Sequence, residues 1–266
     1  MLLTEKTKCL EDTFVQFLED YSIKRNVSIL IGFSGGPDST ALLALFSKVS
    51  ARWNIHLECA YVDHGIRTEA ELHEDYRIVR QNADFFRTKL TILKVPPGKI
   101  QAVSRRERRS VEEVARLFRF KMLSKLLLER KFEYLALGHT MDDHLETMIM
   151  HFFQGSGAAG LKGIPQIHGR IIRPLLRCRK TDLVDYLKGQ QIPWAADLSN
   201  LQDVFLRNRV RKRLIPAVEE IFPGYRNSLA VLAYKMKLTE HFIAHYAARV
   251  LCWEKVPEGY RIKLKT

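Results

Sequence analysis

Cysteine is scarce and scattered. The four in this 266-residue chain are Cys9, Cys59, Cys178 and Cys252, and no two stand at C-x-x-C spacing. A zinc ribbon, an iron–sulfur cluster or a redox pair therefore has little support, and separate reduced thiols of a cytosolic protein are the expectation. Long apolar runs are missing too. None approaches the roughly 20 residues that a membrane span needs, and Met1–Asp20 carries charge throughout where a signal peptide would have an apolar core. The chain is expected to be soluble and cytoplasmic. Acid is in short supply, with 30 Asp and Glu against 43 Lys and Arg, a formal charge of +13. That excess suits a polyanionic partner, either nucleic acid or an anionic surface. No internal repeat or low-complexity tract interrupts the chain. Hydrophobic residues make up 46%, enough for a core of one large domain, or one domain with a small appendage.

Strand-like and helix-like patterns alternate after a first helix over Cys9–Ile23. Strands are predicted at Ile29–Phe33, Ile55–Val62, Lys89–Val95 and Glu133–Leu137. Each precedes a helix, at Ala41–Val49, Thr68–Phe85, Val111–Arg130 and Asp142–Phe153. This order argues for a doubly wound parallel sheet, an α/β fold with helices on both faces. In such sheets ligands sit beyond the carboxyl ends of the strands. After Gln154 the chain turns glycine-rich, then basic from Arg170 to Lys180, then helical over Thr181–Leu187. From Leu201 it reads as helices at Arg207–Leu214 and from Asn227 to Trp253, so a domain change is placed near Asn200.

The first strand runs into Ser34-Gly35-Gly36-Pro37-Asp38-Ser39-Thr40, and a helix follows. Small residues and backbone N–H groups gathered at a helix N-terminus make an anion site, to which Ser34, Ser39 and Thr40 add hydroxyls. Asp38 suits a phosphate that carries Mg²⁺ better than a bare one. The turn has no lysine, which excludes a Walker A loop, and G-x-G-x-x-G is absent as well.

A second group, Gly138-His139-Thr140-Met141-Asp142-Asp143-His144-Leu145-Glu146-Thr147, follows the fourth strand. Acids at a helix start favour its positive end and can act as caps. Asp142 and Glu146 share one helical face and could hold Mg²⁺ or an ammonium group. Carboxylates favour a hard cation over zinc, and H-E-x-x-H is not present. The basic runs Arg105–Arg109 and Arg207–Arg213 read either as solvated faces or as contacts to an RNA backbone.

Ser-Gly-Gly-x-Asp-Ser resembles the PP-loop of ATP pyrophosphatases. With Gly-His-x-x-Asp-Asp-x-x-Glu-Thr at this distance, the chain resembles the tRNA(Ile)-lysidine synthetases. Further matches are Val62-Asp63-His64-Gly65-Ile66-Arg67, Glu113-x-x-Arg116-x-x-Arg119, and Gly155 to Leu161 with a return strand at Arg173-Pro174-Leu175-Leu176. Asp197-x-Ser199-Asn200 with Arg207-Asn208-Arg209-x-Arg211 completes the set. Phe120 stands where a tyrosine is usual.

The resemblance implies a PP-loop, adenine nucleotide α-hydrolase-like domain over 1–200 and a small helical, tRNA-contacting domain over 201–266. It implies ATP and Mg²⁺ as cofactors, and CAU-anticodon tRNA(Ile) and free L-lysine as partners, with a homodimer as a further expectation. ATP would lie on Ser34–Thr40 and His64, and the metal on Asp38, Asp142 and Asp143. Arg116 and Arg173 would neutralise charge, Asp142, Glu146 and His139 would take lysine, and Arg207, Asn208, Arg209 and Arg211 would touch tRNA. Members of the family usually continue beyond their second domain, so the chain reads either as a compact form or as a truncated one. Its ending, Gly259–Lys265, alternates like a strand with no evident partner. A PP-loop tRNA thiolase is the enzymatic alternative, and a non-catalytic tRNA- or nucleotide-binding module the other.

Overall fold

The computed structural model describes residues 2–195 and 206–264. Strand β1 (Ser28–Gly32) lies inside a six-stranded sheet of order β3-β2-β1-β4-β6-β5. Its neighbours are β2 (His56–Asp63) and β4 (Tyr134–Leu137), both parallel to it, with Ile31 opposite Cys59 and Ala136. β3 (Lys89–Lys94) extends the sheet beyond β2, and β6 (Ile171–Ile172) extends it beyond β4. β5 (Ile167–His168) runs antiparallel at the edge.

Because β1 is covered on both faces it is apolar without alternation. Side chains still point to opposite faces in turn. Ile29 and Ile31 enter one hydrophobic cluster with residues of α1 (Leu2–Asp20), α2 (Pro37–Trp53) and α8 (Lys180–Gly189). Leu30 enters the other, against α4 (Lys99–Glu107) and α5 (Val111–Glu129). The expected doubly wound α/β sheet is the fold observed. α3 (Glu69–Phe85) opens with a capping box in which Thr68 and Glu71 satisfy each other's backbone N–H groups.

Several local expectations are corrected. α4 is an addition to the expected elements: only Ile100, Ala102 and Val103 of its nine residues are apolar, and only Ile100 is fully buried. The return strand is Ile171–Ile172, whereas Pro174–Arg177 forms a 3₁₀ turn, consistent with a proline that has no N–H to give a sheet. The last helix, α11 (Tyr225–Val250), stops before Trp253, and the chain continues as β7 (Leu251–Val256). β8 (Gly259–Leu264) pairs antiparallel with β7, so the terminal alternation does have a partner. The Asp197–Asn200 motif and the expected boundary near Asn200 lie outside the described residues.

The chain divides into two compact units, Met1–Asp142 with Gln166–Ser199, and Asp143–Pro165 with Asn200–Thr266. The sheet with α1 to α5 and α8 belongs to the first. The second takes in α6 (Met141–Phe153) from Asp143 onward, α7 (Ala158–Leu161), α9 (Leu206–Arg209), a π-helical turn over Val210–Leu214, α10 (Ile215–Ile221), α11 and the hairpin.

In the first unit the turn after β4 closes directly onto the turn after β1. A Cβ at Gly138 would lie 3.1 Å from the backbone C and O of Asp38 and from the N of Ser39. Gly138→Ala is therefore expected to push on the Ser34–Thr40 turn, costing about 1–3 kcal/mol of stability. Urea unfolding measures the loss, and an unchanged variant would mean that the two turns are not in tight contact.

Candidate active site

All the candidate residues of the first unit follow the carboxyl ends of β1, β2, β4 and β6 or flank them on α5 and α8. Gly35 has φ +77°, and a Cβ there would meet Val79 at 2.8 Å, so glycine is required. Gly36 precedes α2 with no side-chain cap, and Pro37 takes the first helical position, where its lack of an N–H costs nothing. The helix start is thus offered as backbone N–H groups.

The hydroxyls brace the turn. Ser39 Oγ donates to Gly36 O at 3.1 Å, lies 3.1 Å from Ser34 Oγ, and accepts from Ser34 N at 3.2 Å. Thr40 Oγ1 donates to Gly35 O at 3.2 Å from a fully buried position, and Ala195 N donates to the same carbonyl at 2.8 Å. The cradle is held in shape before any ligand arrives.

Two carboxylates of this unit meet one lysine. Lys180 Nζ stands 3.5 Å from Asp38 Oδ2, and Lys180 N donates to Asp142 Oδ2 at 2.8 Å. Asp142 thereby does for α8 what a capping side chain would do. In the sequence Lys180 is only the end of a basic run. Nothing local marks it, because its approach to Asp38 is made by the packing of α8 on α2.

Beyond β2, Asp63 accepts from Gly65 N at 2.9 Å and Tyr76 Oη at 2.7 Å. Asp75 accepts from Tyr61 and Arg67. These bonds shape the loop that carries His64. The His64 pKa is pushed down to about 4, by burial first and then by Arg119 and Arg67, against the pull of Asp63. His64 is therefore a neutral ring at neutral pH. Arg173 is 7% exposed, and its pKa is lowered by burial and then by the neighbouring Arg116. Arg116 lies 5.8 Å over the Phe120 ring, so the aromatic face is kept although the tyrosine hydroxyl is absent. Like charges close together favour an anion between them. His139 and the buried Thr140 occupy the turn between β4 and α6.

In the second unit Glu146 is 1% exposed and filled by two arginines. Arg207 Nε donates at 3.1 Å, and Arg211 Nε and Nη2 donate at 2.6 and 2.9 Å. Asp143 lies 3.7 Å from Arg211 and 4.0 Å from Arg207, and Arg207 also donates to Thr147 Oγ1 at 3.1 Å. The π-helical turn begins between these two arginines. Arg207 and Arg211, expected on a tRNA face, thus engage carboxylates, whereas Arg209 is exposed and Asn208 half-buried. His144 Nδ1 accepts from Ile164 N at 3.0 Å, and burial lowers its pKa.

Asp142 and Glu146, expected to work as a pair, take different partners. Among the described residues no group of three or more His, Cys, Asp or Glu side chains is arranged to hold a metal ion. Asp38 and Asp142, joined through Lys180, are hard oxygen donors of the sort Mg²⁺ takes in ones and twos beside substrate phosphates. Cys59 and Cys178 are buried thiols, the latter with its pKa raised to about 12 by burial, and Cys9 is exposed.

A family model described as the PP-loop domain matches residues 6–218. A tRNA(Ile)-lysidine synthase of Borrelia garinii subsp. bavariensis is 37% identical over 214 residues, 80% of this chain and 48% of that protein. That of Persephonella marina is 32% identical over 243 residues, 91% of this chain and 52% of that one. The chain spans about half the length of the curated relatives it matches. Among solved structures, the U34-tRNA thiolase NcsA from Methanococcus maripaludis with its [4Fe-4S] cluster aligns with a TM-score of 0.73. It is 18% identical, with 87% of this chain and 79% of that one covered, a likeness of fold.

His64 should make the protein's stability depend on pH. In the unfolded chain imidazole binds a proton below about pH 6.5, but in the folded chain not until about 4. Between those values the unfolded state holds more protons, so stability falls as pH falls. His64→Leu should lose less stability than the parent between pH 6.5 and 4 in urea midpoints. Parallel losses would mean that His64 titrates normally when folded.

Proposed function

The chain belongs to the PP-loop family, and from that premise we propose that it acts as a tRNA(Ile)-lysidine synthetase. The observation that carries this reading is the 37% identity over 214 residues to a protein so named, beside a PP-loop domain match over 6–218 that includes both the phosphate cradle and the acidic α6 motif.

In the proposed reaction the C2 carbonyl oxygen of the wobble cytidine, in the CAU anticodon of tRNA(Ile), attacks the α-phosphorus of ATP. The bond from that phosphorus to the bridging oxygen breaks, and its electron pair leaves with pyrophosphate. The neutral ε-amine of free L-lysine then bonds to C2, and AMP departs with the former carbonyl oxygen.

Residues of the first unit handle the nucleotide in this reading. Ser34 to Thr40 grip the β- and γ-phosphates through backbone N–H groups. Arg116 and Arg173 offset charge as it gathers on phosphorus, and neutral His64 faces the nucleotide without adding a charge. Asp38 and Asp142 would hold Mg²⁺, which when bound draws charge from the phosphate oxygens.

In the second unit Glu146 would take lysine and is the leading acceptor of the ε-ammonium proton. Its two guanidinium partners carry the same charge as that ammonium. Lysine can take Glu146 only as Arg207 and Arg211 let go, which releases them, beside Asn208 and exposed Arg209, toward RNA phosphates. The chemistry of the thiols favours this reading over a tRNA thiolase. Sulfur transfer needs a reactive thiolate or a cluster of cysteines, and burial keeps Cys59 and Cys178 protonated.

Pyrophosphate release should require both lysine and CAU-anticodon tRNA for full turnover. Asp38→Asn should fold normally yet release pyrophosphate at least a hundredfold more slowly. Release by the parent protein that ignores the tRNA would contradict the synthetase reading, and near-normal release by a folded Asp38→Asn protein would contradict the placement of Asp38.

A further inference from the structure

A cradle made of backbone N–H groups offers partial charges, and pyrophosphate carries several full ones. Walker loops meet that demand with a lysine inside the turn, and this turn has none. In the first unit an ammonium arrives from elsewhere. Lys180 Nζ lies 3.5 Å from Oδ2 of Asp38, a residue of the turn, with the lysine side chain 36% exposed.

The backbone of Lys180 is pinned twice. Its N–H is held by Asp142 at 2.8 Å, and α8 is anchored on α2 through buried Leu183 and Leu187, which share a cluster with Leu42 and Leu45. The four-carbon stem beyond that anchor can rotate. A separation of 3.5 Å is ion-pair range but longer than the usual 2.7–3.2 Å of a formed N–H···O bond, and a half-exposed pair of this kind is weak. The ammonium is therefore held near the phosphate positions without being committed to its present neighbour.

We propose that Lys180 is a catalytic residue that binds the β,γ-phosphates, supplying from α8 the charge that the turn itself lacks. Beside Asp38 its ammonium compensates the carboxylate. When the phosphates bind, it turns onto a non-bridging oxygen and stays with the pyrophosphate as the α-phosphorus bond breaks. The inference rests on the cradle holding those phosphates as described above, and the experiment separates the two claims.

Inorganic pyrophosphate, ATP and AMP, each with Mg²⁺, are titrated calorimetrically into the parent protein, Lys180→Met, Lys180→Gln and Lys180→Arg. Pyrophosphate and ATP should bind both neutral variants at least tenfold more weakly. AMP should bind all four proteins alike, and Lys180→Arg should recover most of the loss. Unchanged pyrophosphate binding by either neutral variant would overturn the role of Lys180, as would an equal loss for AMP, which marks a structural effect. Parent protein that binds pyrophosphate no better than AMP would overturn the cradle reading, and the Lys180 role with it.

Discussion

β1 is buried on both faces, and that burial fixes where its carboxyl end must stop. Ile29, Leu30 and Ile31 are fully enclosed, and a shift by one residue would exchange the faces of the strand and break both cores at once. The turn that follows is thus set in place by packing, before any of its own bonds are counted. Ser34, Ser39 and Thr40 then tie it internally. α2 begins where Pro37 allows, and Gly138 closes against it from the next strand. The phosphate cradle is a consequence of the sheet's register as much as of its glycines.

Around both candidate sites the cations are arranged by pairing. A net charge of +13 suggests an outward basic surface, yet Arg207 and Arg211 turn to Glu146 and Asp143 within the second unit, and Lys180 turns to Asp38 within the first. An enclosed carboxylate with two arginines is costly to strip of both, because the remaining buried charge has no compensation. It can exchange a guanidinium for another cation at far smaller cost. Such exchange gives both units the same logic in the proposed reaction, with a cation standing on a carboxylate until a substrate group of matching charge arrives.

The parts legible in the sequence were those set by local pattern. The apolar runs of β1, β2 and β4, the Ser-Gly-Gly turn and the acidic start of α6 carry their own signals. α4 was missed because Ile100 alone reports its buried side. β6 was misplaced by a few residues because two residues make too short a pattern, and the proline after them looked like part of it. Asp142 and Glu146 were rightly put on one helix, but their different partners are set by α8 and by the π-helical turn, both distant in sequence. Lys180 had no local mark at all. Which face of the Arg207–Arg211 segment meets acid, and which meets water, is likewise decided by packing.

In the proposed reaction ATP activates a carbonyl oxygen of the RNA base and an amine then displaces it. CAU-anticodon tRNA carrying ¹⁸O at the C2 oxygen of the wobble cytidine, incubated with the protein, ATP and lysine, tests it directly through mass spectrometry of the AMP released. The label should move into the AMP phosphate as lysine becomes attached to C2. Unlabelled AMP formed alongside the modified base would contradict it, since activation would then have occurred on another group.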